Sequence, residues 1–396
     1  MDSNKKTDNS DKQTITPWTV KAESADGKMA TIDYDHVISQ FGCQKFNSSH
    51  VEAFERLAGD RAHRFLRRNL VFAHRDFDVV LSSLERGEKF YLYTGRGPSS
   101  RSMHIGHSVP FLLCKYLQKT FNVPIVIQIT DDEKFLCKNI SLEESRRYAA
   151  ENIKDIIAYG FDSNLTYIFS NYESAHLFEE NTLKIAKNIT LNDAFKVFGF
   201  NMSTSIGMAG FPARQIAASF SSSFGFLKNG MQCLIPCAVD QDPYFRLARD
   251  ISGKIGEKKP ASLYVSLLPD LQGTDKKMSA SDLKSAIYLD DAPETIKSKI
   301  NKLAFSGGQE TLEMHREVGG RTEVDVPFQY LRYFLEDDDE LQALHDGYEN
   351  GRVTSGEMKK KCIEVVQGFV REYQERREKV TSEMVEAFMD ISKFQH

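Results

Sequence analysis

The chain has 396 residues, of which 41% are hydrophobic and 27% charged, the usual composition of a soluble globular protein of two or three domains. A formal net charge of −5 excludes a globally basic nucleic-acid binder, so any contact with RNA needs a local basic patch. No stretch is apolar over a length that crosses a bilayer, and the polar start is unlike a secretory signal or an arginine-rich transit peptide. We therefore expect a cytoplasmic protein with no membrane partner.

The six cysteines are scattered along the chain. Cys233 and Cys237 form the only close pair, inside an apolar run that has no histidine or cysteine partners at zinc-ligand spacing. We expect free, buried thiols in a reducing compartment and no metal held by the protein.

The N-terminal region divides into two parts. Residues 1–16 are polar and predict a disordered tail, whereas residues 17–88 predict an extension packed on the main domain. Within this extension, the segment 49–84 has apolar residues at helical spacing, so we expect it to be helical.

A glycine-rich turn follows a strand-like run at 90–93 and leads into a helical pattern that contains His104, Gly106 and His107. A helix N-terminus binds anions through its free N–H groups, and Gly106 lets a flat ring lie against the backbone. Pro110 is tolerated if the helix begins just before it. These residues alone fit an ATP-binding turn, a pair of capping or surface histidines, or half of a metal site.

The following segments alternate between strand and helix. Residues 124–129 are apolar except for Gln128, as in a strand covered on both faces of a parallel sheet, and an acidic cluster at 131–133 follows. A helical pattern at 142–159 and a strand at 165–169 continue the alternation. The sequence therefore predicts the α/β class, with a doubly wound, Rossmann-type parallel-sheet catalytic domain over 89–285.

A helical segment at about 174–227 interrupts this alternation and is read as an insertion. Its phenylalanine and methionine content is large for a single insertion. Half of that apolar surface is accounted for by an internal core, and the rest predicts a surface through which the chain forms a homodimer.

Strands are predicted again at 231–238 and 262–268, followed by a polar loop at 272–282 that contains Lys277, Met278 and Ser279. A lysine supplies a mobile positive charge and a serine a hydroxyl donor, so the loop suits phosphates, although alone it is an ordinary surface loop. Only helical patterns follow. We expect a helical domain over 286–381 and a C-terminal helix at 382–396 that returns to the catalytic domain.

The two polar motifs occur together, in this order and on either side of the doubly wound pattern. Pro98-Ser99-Ser100 with Met103-His104-Ile105-Gly106-His107, and Lys277-Met278-Ser279-Ala280-Ser281, resemble the signature pair of class I aminoacyl-tRNA synthetases. Further segments resemble the tryptophanyl-tRNA synthetases of the eukaryotic cytoplasmic type, among them Gln128-Ile129-Thr130-Asp131-Asp132-Glu133-Lys134, Phe198-Gly199-Phe200, Cys237-Ala238-Val239-Asp240-Gln241-Asp242-Pro243-Tyr244-Phe245, Ala304-Phe305-Ser306-Gly307-Gly308 and Phe334-Leu335-Glu336-Asp337-Asp338-Asp339.

The resemblance implies an enzyme of protein synthesis. L-Tryptophan and ATP would give tryptophanyl-adenylate and pyrophosphate, and the tryptophan would then pass to the 3′ end of tRNA(Trp). It also implies Mg²⁺ with the ATP, a homodimer built on the insertion, and an anticodon-binding helical domain.

The resemblance also assigns roles to individual residues. Tyr93 and Gln128 match residues that recognise the indole N–H, and Glu133, Gln215 and Gln241 match residues that hold the α-amino group. The implied ATP contacts are Arg96, Gly97, His104, Gly106, His107, Thr130, Lys277, Met278 and Ser279, and the implied catalytic residues are Arg96, His104, His107, Lys134 and Lys277. The implied tRNA contacts are Phe305, Gln309, Glu310 and Lys359.

Three alternatives stay open at this point. The sister tyrosyl enzyme has the same fold, and Gln128 is compatible with a phenol hydroxyl. An inactive paralogue that binds tRNA or protein has no reason to keep the two histidines, Gly106 and Lys277 together. A small-molecule adenylyltransferase of the same superfamily does not explain basic runs in a helical C-terminal domain.

Overall fold

The computed structural model describes residues 12–15, 20–23, 31–278 and 286–394. Within these residues there are eleven strands, which are, in chain order, Lys12–Ile15 (β1), Val20–Glu23 (β2), Gln44–Lys45 (β3), Val71–Arg75 (β4), Phe90–Arg96 (β5), Ile125–Ile129 (β6), Thr166–Ser170 (β7), Gln232–Ala238 (β8), Ala261–Val265 (β9), Pro269–Asp270 (β10) and Gly273–Lys277 (β11).

The helices of the described residues fall into two groups. Before β11 they are Tyr34–Phe41 (α1), Ser48–Ala58 (α2), Arg64–Arg67 (α3), Phe77–Glu85 (α4), Ile105–Phe121 (α5), Asp131–Cys137 (α6), Leu142–Ile157 (α7), Asn171–Lys187 (α8), Leu191–Phe198 (α9), Ile206–Ala217 (α10) and Asp242–Ser252 (α11). After β11 they are Pro293–Leu303 (α12), Leu312–Val318 (α13), Val326–Phe334 (α14), Asp338–Glu349 (α15), Ser355–Glu378 (α16) and Ser382–Met389 (α17). Short 3-10 turns cover Ser221–Ser223, Val239–Gln241, Gly253–Ile255 and Ser392–Phe394.

A seven-stranded sheet with the order β3-β4-β9-β8-β5-β6-β7 forms the centre of the molecule. Strands β9, β8, β5, β6 and β7 are parallel, and β4 joins them antiparallel to β9. The chain builds outwards from β5 to β7 and then returns to place β8 on the other side of β5. This confirms the doubly wound α/β class and places a topological switch point between β5 and β8, where ligands bind in open sheets of this kind.

The predicted central strands are present because their apolar runs are buried on both faces. All five residues of β6 are buried, including Gln128. Helix α5 ends at Asn122 in a left-handed conformation (φ 48°). Helix α5 begins at Ile105, as the helical pattern predicts, so Pro110 does not lie at the start of the helix, where it would be tolerated. Pro110 lies inside the helix and cannot donate to the carbonyl of Gly106.

The N-terminal region differs from the prediction in two places. The tail predicted over 1–16 is wrong at its end, because Lys12–Ile15 form β1, and the rest of it lies outside the described residues. The helix predicted over 49–84 is interrupted by β4, which is almost fully buried and pairs with β9. Short apolar runs do not distinguish a buried strand from a buried helix. The boundary at 88/89 stays a prediction, although β3 and β4 extend the central sheet across it.

A second, four-stranded sheet has the order β1-β2-β11-β10. The polar loop predicted over 272–282 is therefore wrong for its first part, since Gly273–Lys277 form β11. Lys276 of β11 pairs with Lys21 of β2, which links the N-terminal hairpin to the strand that ends at Lys277. The pairing partner is some 250 residues away in sequence, so the loop gives no local sign of it.

Helices α12–α17 form the predicted all-α region after β11. Helix α17 contacts β7 and α7, and the Phe394 ring stacks on Phe226 with ring centroids 4.1 Å apart. The C-terminal segment therefore lies against the catalytic sheet. Among the described residues, no helix combines the length and the apolar character needed to cross a membrane.

Candidate active site

A cavity of about 700 Å³ opens at the switch point, where the carboxyl ends of β5, β6 and β8 meet. Every described residue that the resemblance assigns to tryptophan, ATP or catalysis lines it: Tyr93, Arg96, Gly97, His104, Gly106, His107, Gln128, Thr130, Glu133, Lys134, Gln215, Gln241, Lys277 and Met278. Ser279 lies outside the described residues. The structure thus brings together positions that are up to 185 residues apart.

The two histidines stack at the N-terminus of α5, with ring centroids 3.5 Å apart. Gly106 is needed for this packing, because a Cβ there would lie 3.0 Å from His104 Nδ1. Burial, reinforced by the positive charges of Arg96 and Lys277, holds the pKa of both rings well below the usual histidine range. Both imidazoles are therefore neutral in the unliganded protein.

Arg96 ends β5 and is the buried cation of the site. Its Nε donates to Asn152 Oδ1 (2.9 Å), and its Nη1 lies 2.8 Å from His107 Nε2. Asn152 in turn donates to the carbonyls of Ser100 (3.0 Å) and Arg101 (3.2 Å), which fixes the glycine-rich turn. Burial lowers the pKa of Arg96 to about 10, so it stays charged at neutral pH.

The site holds more buried donors than acceptors. Within the described part of the chain, Arg96 Nη2 and His104 Nδ1 are buried and have no hydrogen-bond partner. His107 faces an N–H on both sides, the backbone N of His104 at its Nδ1 (3.2 Å) and Arg96 at its Nε2. A neutral imidazole accepts at only one nitrogen, so one of these donors also lacks an acceptor. This arrangement, at a helix N-terminus, suits an anion.

On the opposite wall, Tyr93 and Gln128 form a buried polar pair. The Tyr93 hydroxyl contacts Gln128 Oε1 and lies 2.8 Å from the carbonyl of Gln215. Gln128 Nε2 donates to Asn171 Oδ1 (2.8 Å). Burial raises the pKa of Tyr93 well above 10, so the phenol is protonated. A phenol and an amide oxygen at the end of a slot suit a ligand with a single N–H group.

Carboxylate and amide oxygens lie between these two walls. Gln215 Nε2 contacts Gln241 Oε1 (3.3 Å), and Glu133 forms an ion pair with Lys134 (2.7 Å). Thr130 Oγ1 lies 3.4 Å from Glu133 Oε2. Acceptors of this kind, concentrated in one place, suit an ammonium group.

Two lysines of the site, Lys134 and Lys277, lie close to residues from other elements. A Cβ at Gly97 would lie 2.3 Å from Lys134 Cε, so Gly97 leaves the space that this lysine occupies. Lys277, at the end of β11, forms an ion pair with Asp240, which follows β8. Asp240 is buried and lines the cavity, but the sequence analysis assigned it no role. The position of Asp240 just after a predicted strand is the sequence feature that could have identified it as a site residue.

The expected tRNA residues are absent from the cavity lining and lie in the helical region. Gln309 Nε2 donates to the carbonyl of Gly319 (2.8 Å), and Lys359 Nζ contacts the carbonyl of Asn301 (3.2 Å). Phe305 is half-buried and Glu310 is exposed. Their role stays a prediction.

Among the residues that the structure describes, one group of side chains that could bind a metal lies apart from the cavity: His50, His74 and Asp78. The Nδ1 of His50 accepts from the backbone N of Asn47, and that of His74 from the backbone N of Phe77, both at 3.2 Å. Each neutral ring therefore carries its proton on Nε2, and His50 directs it at Asp78 (3.2 Å). A metal-binding histidine instead donates its other N–H outward, so this cluster fits helix capping better than metal binding.

Comparison with known proteins agrees with this geometry. The family described as "tRNA synthetases class I (W and Y)" matches residues 85–195 and 226–371. A tryptophan–tRNA ligase of Encephalitozoon cuniculi is 60% identical over 382 residues, 96% of this chain and 99% of that protein. The cytoplasmic tryptophan–tRNA ligase of Schizosaccharomyces pombe is 51% identical over 390 residues, 97% of this chain and 98% of that protein.

A solved structure is similar along the same length. The tryptophanyl-tRNA synthetase of E. cuniculi, bound to tryptophan, superposes with a TM-score of 0.88 at 58% identity, covering 92% of this chain and 100% of that one. Sequence and fold thus agree over nearly the whole chain, and the chain belongs to the tryptophan–tRNA ligase family of class I aminoacyl-tRNA synthetases.

Proposed function

We propose that this protein is a cytoplasmic tryptophan–tRNA ligase that activates L-tryptophan with ATP and transfers it to tRNA(Trp) for protein synthesis. The observation that carries the proposal is the surplus of buried donors around Arg96, His104 and His107, facing the Tyr93–Gln128 pair across one cavity. One wall suits phosphate and the other an indole N–H, as a site that joins tryptophan to ATP requires.

ATP binds at the N-terminus of α5. Arg96 and the histidines donate to its phosphates, the dipole of α5 favours their negative charge, and Gly97 and Gly106 leave room for the Lys134 and His104 side chains beside the nucleotide. Lys277, which the structure pairs with Asp240, is the mobile cation that moves to the phosphates when ATP arrives. Met278, Ser279, Thr130 and Lys134 complete this half.

Tryptophan lies between Gln128 and Gln241. Its indole N–H donates to the oxygens of the Tyr93–Gln128 pair, and its ammonium group is held by Glu133, Gln215 and Gln241. Buried acceptors set for a substrate N–H reject analogues that lack it by about 10⁴–10⁵, because the acceptors are then left unpaired.

The reaction needs no covalent nucleophile on the protein. A carboxylate oxygen of tryptophan attacks the α-phosphorus of ATP, the bond to the β-phosphate oxygen breaks, and pyrophosphate leaves. A terminal ribose hydroxyl of the tRNA then attacks the acyl carbon, and AMP leaves. The protein contributes orientation and pre-placed donors, with the histidines acting as neutral N–H donors.

Mg²⁺ fits this site as part of the ATP complex. The cavity carboxylates Glu133 and Asp240 are each paired with a lysine, so they do not form a dedicated cage. Mg²⁺ commonly binds through substrate phosphates with one or two carboxylates, and when bound it neutralises phosphate charge.

The insertion forms the homodimer surface and the helical region binds tRNA. Met202 is 89% exposed and Ile206 93%, and Leu183 and Leu191 are more than half exposed. Isolated apolar residues are normal on a surface, but four that are this exposed within one insertion support a partner subunit there. The helical domain at 286–381 would hold the anticodon through Phe305, Gln309, Glu310 and Lys359.

The test is amino-acid-dependent ATP–pyrophosphate exchange with all twenty amino acids, followed by charging of tRNA(Trp). We expect exchange with tryptophan alone. Exchange that depends on tyrosine would assign the chain to the sister activity, and exchange with no amino acid would contradict the proposal. A preparation with both histidines replaced by alanine controls for contaminating synthetases.

A further inference from the structure

A chain of polar side chains leads from the insertion to the amino-acid half of the cavity, and its members become fully buried towards the cavity. Arg214 Nη1 donates to Asp132 Oδ2 (3.0 Å), and Asn171 Nδ2 donates to Asp132 Oδ1 (2.8 Å). Gln128 Nε2 then donates to Asn171 Oδ1 (2.8 Å), and Gln128 Oε1 meets the Tyr93 hydroxyl. Asn171 and Gln128 are completely buried, so water does not compete for these groups.

The order of donors along this chain is fixed by chemistry. An ionised carboxylate only accepts hydrogen bonds, so the amide nitrogen of Asn171 must face Asp132. The amide oxygen of Asn171 must then face Gln128, whose nitrogen turns towards it. The oxygen of Gln128 is left pointing at Tyr93 and the cavity.

The carboxylate at the start of the chain is itself held in place. Its Oδ1 also accepts from the backbone N of Glu133 (2.9 Å), and Asp132 lies in the first turn of α6, where the helix dipole favours a negative charge. The carbonyl of Arg214 lies 3.3 Å from Gln128 Nε2 and adds a second acceptor on the same side. Three helices, α6, α8 and α10, therefore orient one glutamine.

We propose that Asn171 is a positioning residue for tryptophan selection, which fixes the Gln128 amide with its oxygen towards the substrate, and that Asp132 fixes Asn171. The inference rests on the proposed role of Gln128 in binding the indole N–H. An amide oxygen accepts two hydrogen bonds, so Gln128 receives the Tyr93 hydroxyl and still has a lone pair for the substrate. A reversed Gln128 would present N–H groups to the indole N–H and reject it.

The experiment compares tryptophan with its benzothiophene analogue, in which sulfur replaces the indole N–H, in pyrophosphate exchange. The measured quantity is the ratio of kcat/KM for tryptophan to that for the analogue. We expect Asn171→Leu to lower this ratio about tenfold, the scale of one disordered buried hydrogen bond, with KM for ATP within twofold of wild type.

A matched control lies in the same helix. Asn181 is also buried in α8, and its Nδ2 donates to Ser222 and Ser223 (both 2.8 Å), with no contact to Gln128. Asn181→Leu disturbs α8 to a similar extent, so we expect it to leave the ratio unchanged. If Asn171→Leu and Asn181→Leu lower the ratio equally, or if Asn171→Leu slows both substrates equally, the positioning role is wrong.

Two further variants keep the test decisive. If Asn171→Leu does not fold, Asp132→Asn removes the carboxylate that orders the chain and should lower the same ratio. Gln128→Met tests the proposed pocket itself. If Gln128→Met has the wild-type ratio, the role of Gln128 is wrong. If Gln128→Met has a low ratio but Asn171→Leu and Asp132→Asn have the wild-type ratio, only the positioning inference is wrong.

Discussion

Replacing Arg96 with lysine tests the phosphate half of the site most directly. Arg96 uses Nε and Nη1 on Asn152 and His107, which leaves Nη2 without an acceptor within the described part of the chain. A planar guanidinium serves all three directions at once, whereas an ammonium on a flexible stem does not. The free Nη2 is the group that we expect to bind ATP.

The size of the effect follows from this geometry. A hydrogen bond to a charged group contributes about 1.5–3 kcal/mol, which corresponds to about 10- to 150-fold in rate. We expect Arg96→Lys to lower kcat/KM for ATP within this range in pyrophosphate exchange, with KM for tryptophan close to wild type. Arg96→Lys also removes the bonds to Asn152 and His107, so the melting temperature should fall as well, and the ATP kinetics are the quantity that decides.

A control separates this effect from the general loss of a buried guanidinium. Arg249 is also largely buried, binds the carbonyl of Pro260 (2.8 Å) and Asp76 (2.8 Å), and does not line the cavity. We expect Arg249→Lys to change stability more than ATP kinetics. Wild-type ATP kinetics in Arg96→Lys would refute the argument from unpaired donors.

The remaining predictions concern catalysis, pH and assembly. His107→Ala and Lys277→Ala should each slow pyrophosphate exchange by about 10²–10³, the usual loss for one charge-stabilising donor, and a normal rate would remove that residue from the proposed machinery. Burial lowers the pKa of His74 to about 4. Between about pH 6.5 and 4, the unfolded chain therefore binds this proton and the folded chain does not. As a result, the free energy of unfolding decreases by about 1.4 kcal/mol for each unit by which the pH is lowered. His74→Asn should remove that part of the slope in urea denaturation, and an unchanged slope contradicts the burial argument. The double substitution Met202→Glu with Ile206→Glu should convert a dimer to monomers in analytical ultracentrifugation, and a persisting dimer would place the interface elsewhere.

The central sheet was predictable because its signals are local. A run of apolar residues predicts a strand covered on both faces, and β6 has such a run, broken only by Gln128. The glycine-rich turn was equally clear, since Gly97 and Gly106 mark places where Lys134 and His104 approach the backbone. Strand β11 was missed, because a polar segment becomes a strand only through pairing with β2 and β10.

The residues that orient the site were also missed, for a similar reason. Asn152 and Asn171 are single asparagines in helices, with no spacing or neighbour that marks them in the sequence. Their partners lie 56 and 43 residues away, at Arg96 and Gln128, and only the assembled sheet brings each pair together. A lone buried asparagine is identified by what it contacts in the fold.

These two asparagines bind residues on different walls of the cavity. Asn152, in α7, binds Arg96, which we propose contacts ATP, and Asn171, in α8, binds Gln128, which we propose contacts tryptophan.

A different arginine from outside the sheet binds close to each asparagine. Arg377 of α16 binds Asp155 of α7 (2.7 Å), and Arg214 of α10 binds Asp132, the partner of Asn171. Because the two polar networks share no side chain, changes in them should add, with one altering KM for ATP and the other KM for tryptophan. Helix α16 therefore contacts the helix that contains Asn152, and α10 contacts the aspartate that binds Asn171.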